Sequence, residues 1–363
     1  MLFANAKRLL LEVRMKKKIF VLLLTLAVLL AGCGKNIDTI EENGKLRVVT
    51  SFYPIYLLAQ AVTEGAEHME LVNMAQPQTG CLHDYEMTIS DMKLLEGADV
   101  LIVNGGGMES FLEQALERYP DLIIVDTSAG IELMEDGIEH THDHGEEAED
   151  IHHHEEETEE EHHHDEEEEA EAHLEHTEEH SHEEDAYGHS HEGNPHIWLS
   201  PERAAHQAEN IAVALSELDE ADAEIFVANA EAFHEAAHEL QEKAHAIGIP
   251  EELHAAVFHE GFAYLAELFH MEPVFGIFAD EYQMPSAKEL TEAADEAIGH
   301  DIHFFLTAGD NGKIYAETLA GEVGERIVLL DPLTTADEND LTYLERMQKN
   351  MDVIEKHWKE VTE

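Results

Sequence analysis

Short apolar runs recur along the chain at residues 46–51, 70–74, 100–103 and 122–126. Consecutive apolar positions over such lengths suit strands buried on both faces. Helix-like segments fall between them, near 54–62, 89–95 and 109–117. The rhythm then repeats, with apolar runs at 255–259, 273–278, 302–307 and 326–330 and helical candidates at 262–269, 286–297, 313–323 and 341–357. Strands alternating with helices imply parallel sheets built from right-handed crossovers. The pattern therefore predicts an α/β fold of two (β/α)4 lobes, each with a parallel four-stranded sheet.

Between the two passages the period lengthens. Ser200 followed by Pro201 has the form of an N-cap and a first helical position. Ala208, Ile211, Ala212, Leu215 and Leu218 then mark one face of a helix. A second helix from Asp219 carries Phe226, Ala230, Phe233, Ala237, Leu240, Ala244 and Ile247 at steps of three and four, until Gly248 and Pro250 stop it. At 1.5 Å per residue it would span about 42 Å, enough to run past both lobes as a stiff link and to limit their closure. The expected divisions are an N-terminal lobe over 45–138, a loop over 139–195, the last helix of that lobe over 196–218, a linking helix over 219–248 and a C-terminal lobe over 249–363.

The first 33 residues read differently. Lys16, Lys17 and Lys18 precede an apolar run at 19–30 that ends in Leu29-Leu30-Ala31-Gly32-Cys33. The run is shorter than the roughly 20 residues a spanning helix needs. It resembles a bacterial lipoprotein export signal, in which the cysteine becomes the acylated first residue; an uncleaved membrane anchor is the alternative. Met15, directly before the lysines, is the better start. A polar tether over 34–44 follows. The second cysteine, Cys81, is then alone, so no disulfide framework holds the fold.

Charge separates one more segment. The chain carries 20 Lys and Arg against 81 Asp and Glu, a formal −61. That balance excludes gripping nucleic acid or anionic lipid by surface charge. Residues 139–195 hold 25 of the acids, 15 of the 28 histidines and no Lys or Arg. The remainder still carries −36 once those 25 are taken away, so the lobes are acidic too. With imidazole triplets at His152, His153 and His154 and at His162, His163 and His164, set among glutamates, the segment cannot bury enough surface to order itself. It is expected to be a disordered loop offering weak sites for divalent metals, or, more plainly, a solubilising charge run.

Thirteen histidines remain outside it. His206, His234, His238 and His245 lie along the helical connector, and His300, His303 and His357 beside a strand start or in the last helix, where surface or satisfied roles explain them. Three stand at breaks in pattern: His83 in a turn-rich passage, His196 in Asn194-Pro195-His196-Ile197-Trp198, and His259 at the end of a strand. In open α/β sheets ligands gather at the carboxyl ends of strands. That rule brings His259 to the rim, together with Asp331, which ends the last strand. Three imidazoles and one carboxylate suit four-coordinate Zn²⁺, although spacing alone does not make them converge.

The strings TSFYPIYLLAQAV (50–62), LHDYEMTISDMKLLEGADVLIVNG (82–105), NPHIWLSP (194–201), FHEGFAYLAELF (258–269) and LLDPL (329–333) resemble the zinc-binding branch of the ABC-transporter substrate-binding lipoproteins. The likeness runs from about residue 47 to the end. It implies a metal held between two lobes joined by a rigid helix, with His83, His196 and His259 as ligands and Asp331 or water at the fourth position. Manganese-type relatives usually place a carboxylate where His259 stands, so three imidazoles lean toward zinc. Glu260 is a candidate acceptor for an imidazole N–H. Cys81-Leu82 replaces the commoner Glu-Pro ahead of His83, and Cys81 is expected to pack rather than ligate.

The resemblance also implies an extracytoplasmic, lipid-anchored monomer that passes Zn²⁺ to a membrane permease driven by a cytoplasmic ATPase, and no enzyme. Other readings are a manganese or other divalent-metal protein or adhesin, an extracellular zinc buffer whose working part is the loop, and a zinc hydrolase with Glu260 or Glu86 as general base. The last lacks a paired histidine motif or nucleophile elbow.

Overall fold

A computed structural model describes residues 45–76, 82, 85–135, 139–140, 193–251, 253–276, 326–336 and 339–362, with scattered positions between 291 and 321. The export signal with Cys33, the tether, Cys81, His83 and both histidine triplets lie outside the described residues.

Strand β1 (Leu46–Thr50) leads through helix α1 (Tyr53–Thr63) to β2 (Met69–Asn73). Helix α2 (Ile89–Glu96) leads to β3 (Val100–Val103), and a short 3-10 turn (Ser110–Leu112) with α3 (Glu113–Leu116) leads to β4 (Ile123–Asp126). The strands form one parallel sheet in the order β2-β1-β3-β4. Local chemistry sets these boundaries. Pro54 stands in the first turn of α1, and Thr88 and Asp91 exchange side-chain and backbone bonds in a capping box that starts α2. β3 is buried along its whole length, as its unbroken apolar run requires.

The second sheet contains the four strands that the apolar runs predict, β6 (His254–Val257), β7 (Glu272–Gly276), β8 (Phe304–Thr307) and β9 (Arg326–Leu329), again parallel. A two-residue strand β5 (Glu139–His140) extends it to the order β5-β7-β6-β8-β9. The segment assigned from composition to the acidic loop thus opens as an edge strand. Its backbone pairs with β7 over Glu139 to Phe275 and His140 to Gly276, a demand that a composition argument does not see.

Helix α4 (Pro201–Leu218) starts at Ser200, whose hydroxyl accepts from the Arg203 N–H. Helix α5 (Ala223–Ala246) follows after a four-residue turn. At 24 residues it measures about 36 Å, shorter than the 219–248 pattern suggested because Asp219 to Asp222 form the turn. It packs along α4 and against α1, α6 (Phe262–Leu268) and α7 (Tyr343–Thr362). Its buried face is the predicted series Phe226, Ala230, Phe233, Ala237, Leu240 and Ala244. One apolar cluster runs from Ile55 and Leu58 through this helix to Leu306, Val328 and Met347, so both sheets share a core. Among the described residues no helix is long and apolar enough to cross a membrane.

Candidate metal site

The segment Asn194-Pro195-His196-Ile197-Trp198 lies where the two sheets meet and is tied to both. The Asn104 amide, following β3, donates to the Pro195 carbonyl at 2.9 Å. The Asn194 amide donates to the Glu260 carbonyl at 2.9 Å, and the Tyr264 hydroxyl to the Asn194 carbonyl at 2.6 Å. The indole N–H of Trp198 reaches the Pro332 carbonyl beyond β9 at 2.9 Å, while its ring meets Phe52 edge-on at 5.1 Å. His196 sits at the centre of this web, fully buried.

His259 follows β6, at the carboxyl end of the strand as predicted. Its ring centroid lies 5.0 Å from that of His196, with the planes at 74°. Gly261 makes this approach possible. A Cβ there would stand 2.5 Å from Leu199 Cδ1 and 2.9 Å from His196 Cβ, so any side chain would push the second lobe off the first. Two of the three predicted imidazoles are therefore brought together, one from each lobe. His83 lies outside the described residues, but its neighbour Leu82 is buried in the shared core.

The hydrogen bonds distinguish the two rings. Asn194 Oδ1 lies 2.8 Å from His196 Nδ1 and also accepts the His196 backbone N–H at 3.1 Å. An amide oxygen only accepts, so the proton resides on Nδ1 and the lone pair on Nε2. This orientation suits a metal ligand. His259 Nδ1 instead accepts from the Gly261 N–H at 3.1 Å, which puts its proton on Nε2. Taking up a cation there releases that proton or exchanges the Gly261 bond.

The two candidate carboxylates of the site have partners of their own. Glu260 remains a candidate acceptor for an imidazole N–H: its carboxylate is 3.9 Å from His196 Nδ1, where Asn194 Oδ1 lies closer at 2.8 Å. Asp331, the candidate for the fourth position, is met by the buried Arg346. Arg346 Nε donates to Oδ2 at 2.7 Å and an Nη to Oδ1 at 2.6 Å, and the Leu333 N–H also reaches Oδ1 at 2.8 Å. Such a bidentate pair is strong and directional. Among the described residues, no group of three metal-type side chains includes Asp331 with either imidazole.

One other cluster does meet that criterion, His68 with Asp219 and Asp222. It precedes β2, at the opposite end of the sheet from the histidine pair. Asp222 Oδ2 accepts the backbone N–H groups of Glu67 and His68, each at 2.9 Å, and lies 3.1 Å from His68 Nδ1. These bonds hold its carboxyl below the usual carboxylate range and account for the grouping as a chain-fastening device. The histidines set aside on the connector are likewise partnered: His206 and His234 both meet Glu209, at 3.3 and 2.8 Å.

The chain is similar to known proteins over most of its length. Over 348 residues the chain is 25% identical to the zinc-binding protein AdcA of Streptococcus pyogenes serotype M3, covering 94% of this chain and 61% of AdcA. It therefore spans about three-fifths of that relative's length. Over 339 residues it is 26% identical to the high-affinity zinc uptake system protein ZnuA of Bacillus subtilis, covering 90% of this chain and 93% of ZnuA. Among solved structures it is similar to a Zn(II)-bound AdcAII variant of Streptococcus pneumoniae, with TM-score 0.63 at 25% identity over 87% of this chain and 99% of that one. The substrate-binding protein FpvC of Pseudomonas aeruginosa, in complex with Ni²⁺, shares the fold with TM-score 0.65 at 20% identity, over 87% and 98% of the two chains. The family model for the periplasmic component A of the zinc-uptake complex matches residues 48–357, most of the sequence, and the chain belongs to that family.

Proposed function

We propose that this chain captures Zn²⁺ outside the cytoplasm and delivers it to an ABC permease and its cytoplasmic ATPase, acting by binding and release rather than catalysis. The observation that carries this reading is the pair His196 and His259, one imidazole from each lobe, 5.0 Å apart. His83 is the third ligand. Water or Asp331, whose carboxylate also meets Arg346, completes the shell. Three neutral imidazoles favour zinc over manganese, which prefers oxygen donors. The names of AdcA and ZnuA support the same cargo.

The protein is held as a monomer at the membrane through an acylated Cys33, and the histidine triplets 152–154 and 162–164 collect divalent ions weakly. Replacing His83, His196 and His259 together by Ala should abolish tight zinc binding in competition with a chromogenic chelator. Stoichiometric tight binding by that variant would overturn the assignment.

A further inference from the structure

One buried carboxylate in the N-terminal lobe belongs to no ligand set. Glu109 Oε1 accepts from the Ser51 hydroxyl and from the Asn104 N–H, each at 2.7 Å, and Oε2 accepts from the Gly105 N–H at 3.1 Å. Ser51 follows β1 and Asn104 follows β3. These strands are neighbours in the order β2-β1-β3-β4, and the winding reverses between them: β1 connects outward to β2, β3 outward to β4. Such a switch point opens the crevice in which α/β sheets hold ligands. Glu109 lies buried beside that point, bonded to the residues that follow both strands.

Asn104 carries the contact onward. Its side-chain Nδ2 donates to the Pro195 carbonyl at 2.9 Å, one residue before His196. Its Oδ1 accepts from Gln207 Nε2 at 3.1 Å and its carbonyl from Thr127 Oγ1 at 3.0 Å. The polar groups of Asn104 are thus engaged in directions that fix the turn. Gly105 must follow, because at φ +81° a Cβ there would lie 1.8 Å from Asp126 Oδ1. An apolar side chain could fill the space of Glu109 without desolvating a charge. Only an acceptor of several bonds draws Ser51, Asn104 and Gly105 to one point.

We propose that Glu109 is a positioning residue for metal capture: by pinning the turn at Asn104 it sets the Pro195 carbonyl, and so the seat of the His196 imidazole, without joining the ligands. This rests on the reading of His196 as a ligand.

The test compares full-length wild type with Glu109→Gln, Asn104→Ala, the double variant and Ser51→Ala, using chelator competition for Zn²⁺. In Glu109→Gln the amide turns an N–H toward the Gly105 N–H. Affinity should fall about tenfold or more, as for other groups that orient ligands. Asn104→Ala should cost a similar factor, and the double variant no more than the worse single, because both cut one link. Glu109→Asp, which keeps the carboxylate, should restore part of the loss, and Ser51→Ala should show a smaller one. Wild-type affinity in Glu109→Gln, or losses that multiply in the double variant, would overturn the proposal. If Glu109→Gln fails to fold, wild-type affinity in both Asn104→Ala and Ser51→Ala does the same. The ring-nitrogen NMR signals of His196, recorded without zinc, give a second readout that must move in these variants; static signals count against the proposal. Absence of tight binding by wild type would instead sink the functional reading, and the NMR comparison would still judge Glu109.

Discussion

Asn194 illustrates how one side chain can set the chemistry of its neighbour. By accepting from Nδ1 it assigns the His196 tautomer, and Asn194→Ala should weaken zinc binding by about 10 to 100-fold and also lower the melting temperature, because the bond to the Glu260 carbonyl is lost with it. Unchanged affinity by chelator competition would show that the ring needs no such partner. Glu109 carries a separate prediction. Burial, with a smaller push from Asp126, raises its carboxyl from 4.5 to about 7 against the pull of its three donors. The folded state then holds that proton more tightly than the unfolded chain. Its contribution to stability is complete below about pH 4.5 and is lost as pH rises through about 7, a swing of roughly 3 kcal/mol. Glu109→Gln should remove this part of the pH dependence, visible as a flatter melting temperature between pH 5 and 8; parallel profiles would refute it. Which residues were legible follows from the same physics. His196 and His259 stand at breaks in periodicity, where neither the helix nor the strand pattern accounts for them, and the fold brings their rings within 5.0 Å. The pairing of Asp331 was not legible, because its partner, Arg346, lies 15 residues on and turns its charged head into the core from an amphipathic helix, where sequence alone suggests solvent.

At the level of elements, the apolar runs located the strands because parallel sheets bury both faces and leave little ambiguity of pattern. What escaped was pairing that depends on backbone alone, as in β5. The start of α6 also holds information that periodicity lacks. Gly261 has an ordinary helical φ rather than a left-handed one, so its need for glycine arises from the opposing lobe and not from its own backbone. Gly261→Ala should therefore cost about 1–3 kcal/mol through overpacking and also weaken zinc binding, since the displaced atoms include His196 Cβ. Urea unfolding and chelator competition on the same sample would separate the two effects. An unaltered protein by both measures would mean that the lobes yield freely.

For the whole molecule, the −61 charge divides between an acidic histidine-rich insertion and two lobes with a common apolar core. The described backbone on either side of the insertion sharpens how to remove it. Gly193 and Asn194 belong to the site, with the Asn194 N–H bonded to the Met134 carbonyl at 2.8 Å, and Glu139 and His140 belong to a sheet. Deleting 141–192, rather than all of 139–195, should leave one tight zinc equivalent and remove only weak, pH-sensitive binding. Loss of the tight equivalent on calorimetry would instead make the insertion part of the site. The indole of Trp198 has a consequence of another kind. It is buried in the shared core with its ring 5.0 Å from that of His196, and the chain has only one other tryptophan. A divalent charge arriving on that imidazole changes the field across the indole, so the protein carries its own optical gauge of occupancy, readable from its native emission without label or chelator.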